Sequence, residues 1–141
     1  MADLSGRCRC GAVAWRAVRS PFREVLCHCR DCRAAAGGTP VGWIGFAKPA
    51  VTWTGARHFR ATAPGVTRGA CPACGTALSY MCTRWPGELH VAAATLDDPA
   101  AFAAEAHLHC AEAAEPGAAD MHPRHAGRGP ADLPRLRGRG R

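Results

Sequence analysis

Lysine is almost absent from this 141-residue chain: Lys48 is the only one, so the formal charge of +7 rests on arginine. The arginines are scattered, with Arg7, Arg9, Arg16, Arg19, Arg23, Arg30 and Arg33 spread among cysteines and apolar residues. A nucleic-acid surface would gather basic residues on one element with aromatics between them, so the charge argues against nucleic acid as the partner. No run of 18 apolar residues occurs, which removes a membrane-spanning helix from consideration. Residues 1–6 are short and polar and lack the basic-then-apolar layout of a signal peptide. The expected compartment is therefore the cytoplasm, where thiols stay reduced. No repeat with a period of 20–50 residues is present. Bulky residues are scarce as well. Phe, Trp and Tyr total nine, and much of the hydrophobic fraction is alanine. A domain so poor in large side chains buries little apolar area and needs a staple such as bound metal.

What the chain has in quantity is cysteine, nine residues of it. In a reducing compartment these point to metal ligands or catalysis rather than to disulfides. Three clusters stand out: Cys8-Arg9-Cys10-Gly11, Cys27-His28-Cys29-Arg30-Asp31-Cys32, and Cys71-Pro72-Ala73-Cys74-Gly75. The last has the form of a zinc knuckle, in which proline pre-sets φ in the turn and glycine accepts a left-handed conformation. A knuckle supplies two ligands and structural zinc takes four, so the Cys8/Cys10 pair is the natural other half. Cys27, Cys29 and Cys32 can supply three thiolates from one short loop, and three protein ligands with a fourth position open is the arrangement of a catalytic zinc. A thiolate is the soft ligand such a position accepts. Alternatives remain at this point: closure by Cys82, Cys110 or a histidine, an iron–sulfur cluster, or reactive thiols without metal. His28 reads as a ligand or as a group facing substrate. Seven thiolates and two zinc ions would lower the net charge from +7 to about +4.

Short runs of β-branched and aromatic residues recur between Gly and Pro. Strands are expected within 10–19 and over 23–27, 41–46, 50–54, 59–62, 76–82 and 89–95. A turn is expected at Ala63-Pro64-Gly65. Pro99 to Ala106 fits one or two helical turns after Asp97-Asp98. His107 and His109 flank Leu108 at strand spacing, on one side of an edge strand. From Ala111 the chain is rich in Ala, Gly, Pro and Arg, with Met121, Leu133 and Leu136 its few large apolar residues. Such a segment cannot bury enough surface to offset its ordering entropy. The expected organisation is a mainly β zinc-binding domain at 1–110 and a poorly ordered tail at 111–141.

The motifs G-R-C-R-C-G, C-H-C-R-D-C-R and G-A-C-P-A-C-G-T, with A-T-L-D-D-P downstream, resemble the glutathione-dependent formaldehyde-activating enzyme family. That family also includes relatives of the centromere protein CENP-V. The likeness covers roughly Ser5 to His109 and extends to Trp43–Phe46, Trp53-Thr54-Gly55 and Ser79-Tyr80. It implies a β-tent fold of several small antiparallel sheets organised around two zinc sites. Cys8, Cys10, Cys71 and Cys74 would then hold the structural zinc, and Cys27, Cys29 and Cys32 the catalytic one. It implies a carbon–sulfur lyase that condenses glutathione with formaldehyde to S-hydroxymethylglutathione. Arg30, Arg33, Arg60 and Arg68 are candidates for the carboxylates of glutathione. The chain departs from the family at Ala70, where an aromatic is usual, and beyond His109, where an aromatic strand and a tryptophan are replaced by the Pro/Gly/Arg-rich tail. The alternative is a non-catalytic zinc module with both metals structural; the fourth ligand of the second zinc separates the two readings.

Overall fold

The computed structural model describes residues 3–18 and 20–114. Strands β1 (Leu4–Arg7), β2 (Ala14–Ala17) and β5 (Val51–Thr54) form a three-stranded antiparallel sheet in the order β1-β2-β5. A seven-stranded sheet holds β3 (Arg23–Cys27), β4 (Val41–Ala47), β6 (His58–Ala63), β7 (Val66–Ala70), β8 (Ala77–Cys82), β9 (Glu88–Ala92) and β10 (Ala106–Leu108). Its order is β10-β3-β4-β9-β8-β7-β6, antiparallel except where β10 runs parallel to β3. One α-helix, α1 (Arg30–Ala36), follows β3. The protein is mainly β, as its short, evenly spaced strand signals imply. No helix among the described residues is long and apolar enough to cross a membrane.

Side chains alternate between the faces of a strand, and directly opposed partners share a face. That rule sorts the large sheet into two surfaces. On one, Ile44 and Phe46 of β4 oppose Val91 and Leu89 of β9. All four are buried against Trp15, Ala17, Val51 and Leu96 to form the principal core. Full burial of each large side chain is worth about 1.5–3 kcal/mol. Trp15 donates from Nε1 to Thr95 Oγ1 at 2.9 Å, so its one polar atom is satisfied inside the core. β1 passes so close that a Cβ on Gly6 would lie 2.3 Å from the Thr95 carbonyl oxygen and 2.5 Å from Trp15. Only glycine permits that approach.

The other surface is chemically different. Val25 and Cys27 of β3, Trp43 of β4, His90 of β9, Tyr80 of β8 and Arg68 of β7 lie on it in register. A second core of Val25, Cys27, Val41, Trp43 and Ala92 covers its middle, and α1 contributes Cys32 to it. A sheet whose two faces are one apolar and one mixed places its working groups on the mixed face.

Several expectations shift in detail. The strand expected over 76–82 begins at Ala77, and the one over 89–95 ends at Ala92 in a 3-10 turn over Ala93–Thr95. The helical segment after Asp97-Asp98 is a single 3-10 turn, Pro99–Ala101, which Asp98 caps by accepting from the Ala100 N–H at 3.0 Å. β10 is an edge strand carrying exposed His107, but His109 lies beyond it in a left-handed conformation, φ 57°. β1, β7 and α1 were not foreseen. Cys110–Glu112 forms a 3-10 turn whose Glu112 carboxylate accepts from the Arg30 N–H at 3.3 Å. Of the expected tail at 111–141, everything past 114 lies outside the described residues.

Candidate functional site

Two groups of cysteines are brought together by the fold. Cys8 and Cys10 follow β1, and Cys71 and Cys74 sit in the turn between β7 and β8; their four Sγ atoms all lie within 4.8 Å of one another. The turn is fixed locally: Gly75 N–H donates to the Cys71 carbonyl at 2.9 Å, with Gly75 at φ 75°. Cys8 Sγ and Cys10 Sγ are 3.6 Å apart, and Cys10 Sγ and Cys71 Sγ 3.7 Å. A tetrahedron with Zn–S bonds of about 2.3 Å has sulfur–sulfur edges of roughly 3.8 Å. These separations fit a tetrahedral metal and are far too long for a disulfide. The Thr76 hydroxyl, 3.1 Å from Cys74 Sγ, is the first cause that draws that thiol down to about 5. The Ala12 backbone draws the Cys10 thiol down, but hydrogen bonding with Cys8, burial and the other two thiols together outweigh it and push the thiol up to about 11. The group thus combines a thiol that ionises readily with one held protonated at neutral pH.

The second group is Cys27, the last residue of β3, Cys29, which caps α1, and Cys32 in the first turn of that helix; these Sγ atoms also lie within 4.8 Å of one another. Cys29 Sγ accepts from the Cys32 N–H at 3.2 Å, so a cysteine sulfur does the work of a cap. Hydrogen bonding from Cys27 first, then from Arg68, outweighs burial and draws the Cys32 thiol down to about 5, while Cys27 is pushed up by its bond to Cys32 and by burial. Among the described residues no fourth His, Cys, Asp or Glu joins this group. Cys82 is half-buried on β8 and Cys110 is exposed, both outside it. His28 turns instead to His107, with Nε2 2.8 Å from the partner's Nδ1. All nine cysteines are free thiols.

The three-cysteine group opens on a cleft of ≈ 400 Å³ whose walls include Trp43, Arg68, Tyr80, Trp85 and His90. Arg68 is 8% exposed. It donates to Asp31 Oδ2 at 2.6 Å, to Cys32 Sγ at 3.4 Å and to Thr62 Oγ1 at 3.1 Å. Its guanidinium carbon lies 4.9 Å from the Tyr80 ring centroid and 5.9 Å from that of Trp43. A buried cation so held is both paired and stacked. Burial raises the Tyr80 hydroxyl to about 12, so it stays protonated at neutral pH. Burial likewise lowers the His90 imidazole, which keeps it neutral.

Of the four arginines singled out from the sequence, only Arg68 enters this cleft. Arg33 donates to the His28 carbonyl at 3.1 Å, and Arg30 is exposed. Arg60 is exposed on β6 beside a second cleft. Asp31 and His90 were not identified as site residues. Asp31 is inside the cysteine motif, a usable signal; His90 has no local signal, because its place depends on sheet register.

Comparison with known proteins places these observations in a family. The model of the family described as "Glutathione-dependent formaldehyde-activating enzyme" matches residues 3–112. A protein of Halomonas elongata, provisionally named a glutathione-dependent formaldehyde-activating enzyme, is 36% identical over 104 residues. That alignment covers 67% of this chain and 66% of the relative, just under two thirds of its length. The crystal structure of a Rhodobacter sphaeroides protein superposes with a TM-score of 0.58 over 73% of this chain and 98% of that one, at 20% identity. At that identity the likeness concerns the fold.

Proposed function

The chain belongs to the glutathione-dependent formaldehyde-activating enzyme family, and from that premise we propose that it joins the thiol of glutathione to formaldehyde. The product is S-hydroxymethylglutathione, and the reaction is of the carbon–sulfur lyase type. Cys8, Cys10, Cys71 and Cys74 would hold a structural zinc, and Cys27, Cys29 and Cys32 a second zinc that takes part in the chemistry. The single observation that carries this reading is the difference between the two groups. One group brings together four protein sulfurs, enough for a tetrahedral metal, whereas the other brings together three that face a cleft. When bound, zinc supplies the positive charge that keeps an incoming sulfur deprotonated at neutral pH.

The reaction balances without an oxidant or reductant. A sulfur–carbon bond forms, the π pair of the carbonyl moves to oxygen, and the proton lost by the thiol is matched by the one gained at oxygen. The chain's contribution is chiefly to hold two reactants together. Arg68, buried against Cys32, keeps positive charge beside a group that becomes more anionic when another thiolate approaches. Tyr80 and Trp43 form walls that limit water around that charge. Nine cysteines without a disulfide among them suit a cytoplasmic setting.

The test is to mix zinc-loaded protein with formaldehyde and glutathione and follow the hydroxymethyl adduct by NMR exchange spectroscopy. The reading predicts adduct formation faster than the uncatalysed reaction, and loss of that gain in Cys29→Ser with the fold intact. A rate equal to the uncatalysed one at full zinc occupancy would instead favour a non-catalytic zinc module.

A further inference from the structure

A second cleft, ≈ 530 Å³, lies on the same face of the large sheet. Its wall includes Ala34, Ala35 and Ala36 of α1, together with His58, Arg60 and Arg68. Arg68 and Trp43 line both clefts, so this space begins one side chain away from Cys32. It has three basic side chains in its lining and no acidic one. Among the described residues, the side chains of His58 and Arg60 make no hydrogen bond or ion pair.

The register adds an independent observation. Arg60 of β6 is directly opposite Arg68 of β7, on the same face. Like charges in that relation destabilise a strand pair unless an anion lies between or beside them. Asp31 answers Arg68, but among the described residues no carboxylate answers Arg60. The alanines of α1 leave space and present no competing polar group.

We propose that this second cleft is the subsite for an anionic tail of the thiol substrate, with Arg60 the residue that selects carboxylate-bearing thiols over neutral ones. This rests on the three-cysteine group receiving the thiol sulfur, as argued above. The ligand then spans both clefts: sulfur at Cys27, Cys29 and Cys32, the peptide chain passing the small α1 alanines, and a carboxylate at Arg60 with His58 beside it. The site discriminates by charge, because a neutral thiol reaches the sulfur position without using the second cleft.

The experiment is calorimetric titration of the zinc-loaded full chain with three thiols: glutathione, its diethyl ester, in which both carboxylates are masked, and 2-mercaptoethanol. Wild-type protein is expected to bind glutathione more tightly than the ester. Arg60→Gln, an exposed change on an edge strand, should weaken glutathione roughly five- to tenfold, the scale of one partly exposed charge-assisted pair, and leave the other two unchanged. Arg60→Glu should weaken glutathione further. Equal weakening of all three thiols, or none, in Arg60→Gln would overturn the subsite. Failure of the wild type to bind any thiol would overturn the subsite together with the function it rests on, a result distinct from the selective failure.

Discussion

Replacing Arg68 by methionine should separate the two metal groups. Methionine keeps most of the apolar stem and so limits the loss of packing, while removing every donor. Three hydrogen bonds disappear, to Asp31, Cys32 and Thr62. The Asp31 side chain is 41% exposed and recovers solvation by water, so its share of the loss is small. The bond that matters is the one to Cys32 Sγ, because a hydrogen bond to a buried charged group is worth about 1.5–3 kcal/mol. That corresponds to roughly 10- to 150-fold in metal affinity at the three-cysteine group, and outer partners of metal ligands typically cost about 10–100-fold when removed. Competition with a chromophoric chelator at pH 7.5 should show one metal equivalent weakened by that factor and the other unchanged. Arg68→Lys keeps the charge without the planar fork and should restore the affinity only in part. Equal weakening of both equivalents, or of neither, would refute the electrostatic role of Arg68.

Cys74→Ser should abolish the four-sulfur group and with it the folded state, since a structural zinc contributes about 10–16 kcal/mol against a typical stability of 5–15; circular dichroism with and without zinc checks this, and Cys29→Ser should stay folded with one metal equivalent. Gly6→Ala places a methyl 2.3 Å from the Thr95 carbonyl oxygen, and such overpacking should cost about 1–3 kcal/mol or more in denaturant unfolding without altering metal content. His90 carries a lowered pKa through burial, so below its unfolded value of 6.5 the unfolded chain binds more protons than the folded one and stability falls as pH drops toward the folded pKa. His90→Asn should flatten that part of the stability curve between pH 7 and 5.5; an unchanged slope would remove His90 from the account.

Metal-ligand spacing is a local property, and the seven grouped cysteines could be read from the sequence for that reason. Cys71 and Cys74 are held by one turn with proline and glycine where the geometry needs them, and Cys27, Cys29 and Cys32 lie within six residues. Strands β3, β4 and β5 were legible because β-branched and aromatic residues sit between clear breakers. β7 was not: Val66-Thr67-Arg68-Gly69-Ala70 carries few strand formers and is made a strand by its pairing with neighbours on both sides. The helix α1 escaped notice because its cap is a cysteine sulfur and its seven residues, Arg-Asp-Cys-Arg followed by three alanines, give no apolar periodicity. Arg68 could be suspected as one of several arginines, but its contact with Cys32, 36 residues away in sequence, arises only when α1 packs over the mixed face of the sheet.

The central claim is that the three-cysteine group has one coordination position for a thiol from outside. Zinc-edge X-ray absorption on the two-zinc protein, recorded before and after glutathione, tests it most directly. Four sulfurs on one ion and three on the other predict an average of about three and a half sulfurs per zinc, rising to about four with glutathione. An average that stays below four when glutathione is saturating, or one that is already four without it, would contradict the account.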